Sequence, residues 1–229
     1  MAIGLGLTMG IQLMENFRRP YFSKNISDFW RRWHISLSSW FRDYMFSPFY
    51  IYLSGLKTFI KLNLKSRHAI VFFVALLTTE YLLGMWHGAG WNFGFFGIYH
   101  GFMIALYYSV SCYWDKLNDY LQIFLTFQIA AIGWLIFRSN SLDQAYIMIW
   151  HSINNFGSIN DPATFDVIKK FLAFSFILFF VQIFQEIKND TFVVLRLPLF
   201  PRYIFMIALL FLILLFGDFG GEPFIYFQF

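Results

Sequence analysis

Five runs of nearly unbroken apolar residues set the rhythm of the chain: 69–86, 91–110, 121–137, 171–187 and 203–217. Crossing the hydrocarbon of a bilayer takes ~20 helical residues, so each run is expected to be a membrane-spanning helix. The run 69–86 is marginal in length and is interrupted by Thr78, Thr79 and Glu80. A carboxyl at that depth needs a partner or a wet cavity. Only His87-Gly88-Ala89-Gly90 separates this run from the next. That spacing predicts a tight helical hairpin with His87 at its apex or, if the pair is re-entrant, inside the protein at depth. A further apolar stretch, 1–14, is too short to span, and it reads as the end of a longer helix.

The segments between the runs carry the charge. Residues 15–24 (ENFRRPYFSK) form a polar exit ended by Pro20, with Arg18, Arg19 and Lys24 suited to a headgroup zone. Residues 28–44 (DFWRRWHISLSSWFRDY) are both basic and aromatic. A helix starting at Phe29, capped by Ser27 or Asp28, is expected there. On it Trp30, Trp33, Leu37 and Trp40 share one face, and His34 borders that stripe. The charges predict an interfacial or oblique amphipathic helix rather than a span, broken by Pro48. Lys57, Lys61, Lys65 and Arg67 follow without an acidic residue among them, which places 57–67 on the cytoplasmic side. Residues 139–170 are the one long polar stretch, with a surface helix expected over 141–152 and a loop over 154–162. Pro198 and Pro201 predict a turn, and the aromatic tail 218–229 suits an interface.

Composition agrees with this pattern. Of 229 residues, 59% are hydrophobic and 24% aromatic, and only 13% are charged, against about 25% charged in ordinary soluble domains. The expected fold class is an all-α integral membrane protein, a polytopic helical bundle with re-entrant or interfacial amphipathic helices, forming a single membrane domain over 1–229. The net charge of +4 fits cytoplasmic-face lysine and arginine, and no nucleic-acid partner is expected. One cysteine, Cys112, excludes an internal disulfide and any CxxC motif. No basic n-region or cleavage site marks a signal peptide.

Two histidines draw attention because each stands among tryptophans. His87 lies beside glycines that leave room for a substrate. A neutral imidazole in apolar surroundings accepts a proton from a hydroxyl near neutral pH. The plainer reading of His87 is a structural residue at a helix end, and of His34 a snorkelling interfacial one. His100 follows His87 at a spacing unlike a helical metal pair, and neither a Cys nor a carboxylate pair joins it, so no metal is expected. GxSxG, Walker and GxGxxG motifs are all missing from the sequence.

The blocks RPYFSKNISDFWRRWHISLSSWFRDYMFSP and GMWHGAGWNFGFFGIYHG resemble the two signature blocks of the membrane-bound O-acyltransferases (MBOAT), and more narrowly the bacterial branch that includes the alginate O-acetylation protein and the D-alanyl transfer protein of teichoic acids. WLIFRSNSLDQA and the closing FIYFQF are similar to blocks of the acetylating members. The resemblance runs from Arg19 to the last residue. Family members carry several more membrane helices before the first block, so the chain is expected to be the C-terminal part of such a protein.

The resemblance implies acyl transfer from a cytoplasmic thioester donor, acetyl-CoA or an acyl carrier protein, with no tightly bound cofactor. It carries the family's invariant histidine to His87 and its second histidine to His34. His87 would deprotonate the acceptor hydroxyl, with oxyanion donors at the indole of Trp86 or Trp91 or the backbone of Gly88-Ala89. His34 would orient the donor or a reacting group. Arg31, Arg32 and Arg42 are placed to meet donor phosphates or a carrier's acidic face, and Asp43 belongs to the Arg42-Asp43-Tyr44 end of the first block. The expected setting is the inner, cytoplasmic membrane, with membrane lipid and periplasmic or extracellular acetylation proteins as partners. The expected reaction is O-acetylation of an envelope polysaccharide. D-alanyl transfer to teichoic acid and a non-catalytic transport or export subunit stand as alternatives.

Overall fold

A computed structural model describes residues 2–154 and 162–217. The described residues are helical, with no strand among them. Five helices are long and apolar enough to cross a membrane: α6 (Leu64–Trp86), α7 (Trp91–Trp114), α8 (Asp119–Arg138), α10 (Pro162–Lys188) and α11 (Leu199–Phe216). The expected all-α polytopic membrane fold is what the chain adopts. The expected loop over 154–162 falls mostly outside the described residues, and the tail 218–229 wholly so.

Two compact units divide the chain, Met1–Phe156 and Gly157–Phe229. The first is built on the hairpin of α6 and α7. Glycine is what lets these helices touch: a Cβ at Gly84 would collide with the carbonyl of Phe93, and one at Gly97 with the carbonyl of Glu80. Small residues at such crossings let backbones approach, which suits a setting where lipid offers side chains no hydrophobic advantage over one another. Asn63 caps α6 by accepting from the Ser66 N–H, and Asn118 caps α8 by accepting from the Leu121 N–H. Packed on the hairpin are α8 and the short helices before it. The shared core holds Ile26, Phe29, Trp30, Phe41, Leu83, Phe96 and Ile136.

The stretch 28–44 departs from the single helix expected of it. Helix α2 (Ile26–Arg32) begins three residues early, because Asn25 rather than Ser27 or Asp28 supplies the cap, accepting from the Asp28 N–H at 2.7 Å. It stops at Arg32, and α3 (Ile35–Phe41) starts again beyond His34. Trp30 and Trp40 therefore share no continuous face, and His34 sits in a joint rather than beside a stripe. Nor does Pro48 break a helix. From α3 the chain passes through a π-helical turn (Arg42–Phe46) directly into α4 (Ser47–Gly55). The Ser47 N–H still reaches the Arg42 carbonyl, and the widened turn accepts the ring of Pro48, which has no N–H to place. Residues 57–67 form a short helix α5 (Lys57–Ile60) and the start of α6.

At the amino end, α1 (Ala2–Thr8) is seven residues long, and the chain from 11 to 18 has no regular helix. The surface helix expected over 141–152 is α9 (Leu142–Asn154), with Tyr146, Ile147 and Trp150 exposed.

The second unit pairs α10 with α11. Pro198 caps α11, and Pro201 fits in its first turn, where a missing N–H is harmless. Its large apolar side chains, among them Phe171, Phe176, Leu210 and Phe211, are exposed as far as this unit is concerned. Side chains of that kind suit hydrocarbon rather than water.

Candidate active site

The joint at His34 is built by the irregular segment that precedes α2. The Arg18 N–H donates to the Arg32 carbonyl at 2.9 Å, closing the end of α2. Asn16 then serves the start of α3 twice. Its carbonyl accepts from the Ile35 N–H at 3.0 Å, and its side chain accepts from the Ser36 N–H at 2.9 Å. With both helix ends held, His34 takes a left-handed conformation, φ 45°, which costs an ordinary residue roughly 1–2 kcal/mol. The ring of Phe17 stacks on it at 6.1 Å. Nothing in the hydrophobic pattern marked Asn16 or Phe17. The only sequence signal was an Asx residue ahead of a polar turn.

His87 arrives from the other side, as the C-cap of α6, with its N–H donating to the Gly84 carbonyl at 3.0 Å. Trp86 lies edge-on to it at 4.9 Å, and Phe137 at the end of α8 does the same at 5.0 Å. Trp86 also faces His34, with ring centroids 6.2 Å apart. One indole thus separates two imidazoles that come from distant parts of the chain. Burial pushes His87 down to about 4, with the charge of His34 adding to the shift. Burial likewise holds His34 below the ordinary imidazole range. Both shifts favour the neutral ring at neutral pH.

Asn92 fixes the Phe137 wall. Its side-chain amide is buried and donates to the Ser139 carbonyl at 2.9 Å and the Phe137 carbonyl at 3.4 Å. Those carbonyls lie at the end of α8, where helix geometry leaves acceptors unpaired. Sequence reasoning missed Asn92, whose only signal was an amide at the second position of a spanning helix.

The remaining predicted residues are scattered around this pair. Trp86 is half exposed between the rings, whereas Trp91 stands exposed at the start of α7 and makes no ring contact with either histidine. The Gly88 N–H is engaged by the Met85 carbonyl at 3.3 Å, but that of Ala89 has no backbone partner. It joins the first N–H groups of α7, which a helix cannot satisfy internally, as donors at the apex. Arg32 pairs with Asp28 at 2.9 Å, while Arg31 approaches the same carboxylate only to 4.0 Å. Arg42 and Asp43 pair with each other through two hydrogen bonds, at 2.8 and 3.1 Å. Among the described residues no group of three or more His, Cys, Asp or Glu side chains is placed to hold a metal.

His100 is fully buried, unlike the half-buried His34 and His87, and has a different setting. It is sealed among Phe29, Trp30 and Phe96, with the Phe96 ring at 4.6 Å. Neither ring nitrogen has a hydrogen-bond partner.

The fold and the site define a multi-pass, all-α membrane protein with a pair of neutral histidines at the turn of a glycine-packed hairpin. No protein-family model matches the chain. Its curated relatives nonetheless bear out the resemblance to the membrane-bound O-acyltransferases. Over 149 residues, 65% of this chain and 27% of the relative, it is 40% identical to the probable alginate O-acetylase of Azotobacter vinelandii. Similarity to the teichoic acid D-alanyltransferase of Bacillus subtilis is 37% identity over 59% of this chain and 35% of that one. The peptidoglycan O-acetyltransferase of Helicobacter pylori is 36% identical over 63% of this chain and 26% of its own. The chain thus spans about a quarter to a third of the length of the relatives it matches.

Proposed function

We propose that the chain carries the reacting part of a membrane-bound O-acyltransferase that moves acetyl groups onto hydroxyls of a cell-envelope polysaccharide, with His87 as general base. The observation that supports this most is the meeting of His87 and His34 across Trp86, at an apex lined with free backbone N–H groups. A low imidazole pKa keeps His87 unprotonated, so its free nitrogen takes the hydroxyl proton as the oxygen attacks the acyl carbonyl. The carbonyl oxygen gains charge in that step, and the N–H groups at Ala89 and the start of α7 are the donors for it. The thiol of a thioester donor, acetyl-CoA or an acyl carrier protein, leaves with the proton. His34, held by Asn16 and Phe17, positions the reacting group.

Acetyl transfer is preferred because acetylating proteins on both alginate and peptidoglycan are among the relatives. D-alanyl transfer is the second reading, favoured by the similarity to teichoic acid D-alanyltransferases. The acceptor polymer is reached through periplasmic or extracellular partner proteins. The test is substitution of His87 in the parent protein. As a general base it contributes roughly 10²–10⁴-fold, so His87→Gln, which keeps size and polarity without the base, abolishes polymer acylation while leaving insertion normal. A Gln variant retaining most of the activity refutes the mechanism.

The location proposed is the inner, cytoplasmic membrane, with 57–67 facing the cytoplasm. A cysteine replacing Thr58 is then labelled only by reagents that enter the cell, and labelling from outside reverses the orientation.

A further inference from the structure

Beside the histidine pair lies a cavity of about 230 Å³, bounded by α2, α3, the π-helical turn, α6 and α7. Its walls include Glu80, six residues before Trp86, hence about 9 Å along α6 from the hairpin turn. Glu80 Oε2 is sealed from solvent and has no hydrogen-bond partner. Its stem is held in place by Gly101, where a Cβ would sit 3.2 Å from the Glu80 Cβ and 3.3 Å from its Cγ. A buried carboxyl oxygen without a partner is costly, and it calls for a ligand that supplies a donor.

The other polar groups of the cavity set what that ligand must be. Ser38 donates its hydroxyl hydrogen to the Trp33 carbonyl, Ser39 to that of Ser36, and Thr79 to that of Ala75. Each hydrogen is engaged inside the protein, so these oxygens offer only lone pairs to the cavity. Glu80 adds acceptor oxygen to the same walls. At the exposed side stands Arg31, whose contact with Asp28 is 4.0 Å long and leaves most of its fork open. Trp30, in the same walls, has a buried indole N–H without a partner, and Ser27 and Tyr108 share a single hydrogen bond. The cavity therefore asks for N–H donors on the Glu80 side, for an acceptor at the Trp30 indole, and for an anion at the Arg31 rim.

We propose that this cavity binds an aminoalkyl phosphate, the headgroup chemistry of phosphatidylethanolamine, with its ammonium on Glu80 and its phosphate toward Arg31. Three ammonium hydrogens match the acceptor walls, and a guanidinium fork matches phosphate oxygens. The inference needs neither histidine, and it gives Arg31 a lipid phosphate rather than the phosphates of an acyl donor.

Calorimetric titration of the purified chain in lipid-free detergent tests it, with short-chain phosphatidylethanolamine, short-chain phosphatidylcholine and soluble O-phosphoethanolamine as probes. Phosphatidylethanolamine binds, and phosphatidylcholine, whose nitrogen has no hydrogen to donate, binds at least about tenfold more weakly. Glu80→Gln removes that preference without changing the phosphatidylcholine affinity. Arg31→Gln, an exposed change that leaves the fold alone, weakens phosphatidylethanolamine several-fold. A lipid that outbinds O-phosphoethanolamine identifies the membrane as the source, and equal affinities identify a soluble aminoalkyl phosphate. Equal binding of the two lipids, or undiminished binding of phosphatidylethanolamine by Glu80→Gln, overturns the proposal. If Glu80→Gln fails to fold, an unchanged affinity in Arg31→Gln overturns it instead.

Discussion

The His34–His87 apex and the His100 box both set imidazoles among aromatic rings, half-buried at the apex and fully buried in the box, and they are built in opposite ways. At the apex the rings sit on turns. His34 is held at a positive φ by Asn16, and His87 ends a helix next to unpaired N–H groups. His100 stands inside α7, enclosed on all sides, with its Nε2 pressed against the backbone of α8 at Gly133. A ring in that position reaches no substrate and has no hydrogen bond to give up. Burial and aromatic neighbours do not by themselves make a histidine functional. What distinguishes the apex is backbone held in an uncommon conformation, with polar groups left open around it.

The sharpest way to break this contrast is to replace both kinds of histidine with the same residue. In the parent protein, His87→Leu should lower the acylation rate roughly 10²–10⁴-fold with little change in thermal unfolding. His100→Leu should do the reverse. It removes two unpaired nitrogens, each worth about 1–3 kcal/mol when buried without a partner, so the melting temperature is unchanged or higher and activity persists. A His100→Leu protein that is stable but inactive would place His100 in the chemistry after all.

A smaller effect is expected at Gly133. A Cβ there meets the His100 ring directly, and such overpacking costs about 1–3 kcal/mol. Gly133→Ala should therefore lower the melting temperature, and adding His100→Ala, which empties the space, should restore part of the loss. An additive double mutant would show that the two residues do not press on each other.

A third effect is a pH slope. His87 and His34 both have folded-state values below the ordinary imidazole range, with His87 at about 4. The unfolded chain then binds more protons between the ordinary value and about 4, so stability rises with pH across that window and is progressively lost as pH falls through it. Thermal unfolding followed from pH 7 downward should show the loss, and His87→Leu should flatten it. An identical slope in the variant would remove His87 as its cause.

Much of this protein was legible in its apolar runs. All five predicted spans are present, because a helix in lipid must satisfy its own backbone and so follows composition and length. The tight hairpin over 87–90 followed from the same logic, as did the surface helix after Arg138. Where polar and aromatic residues mix, pattern gave way to contacts. The helix break at His34 depends on Asn16 and Arg18, which supply its hydrogen bonds from outside the helix. Pro48 was expected to end a helix that instead widened into a π turn just before it. The partnering of His34 with His87 and the clamp of Asn92 on α8 were likewise invisible, and at Glu80 the sequence asked for a partner or a wet cavity without showing which residues wall it. Local propensity acts over one or two helical turns, whereas each of these joins residues that only the packed hairpin brings within reach.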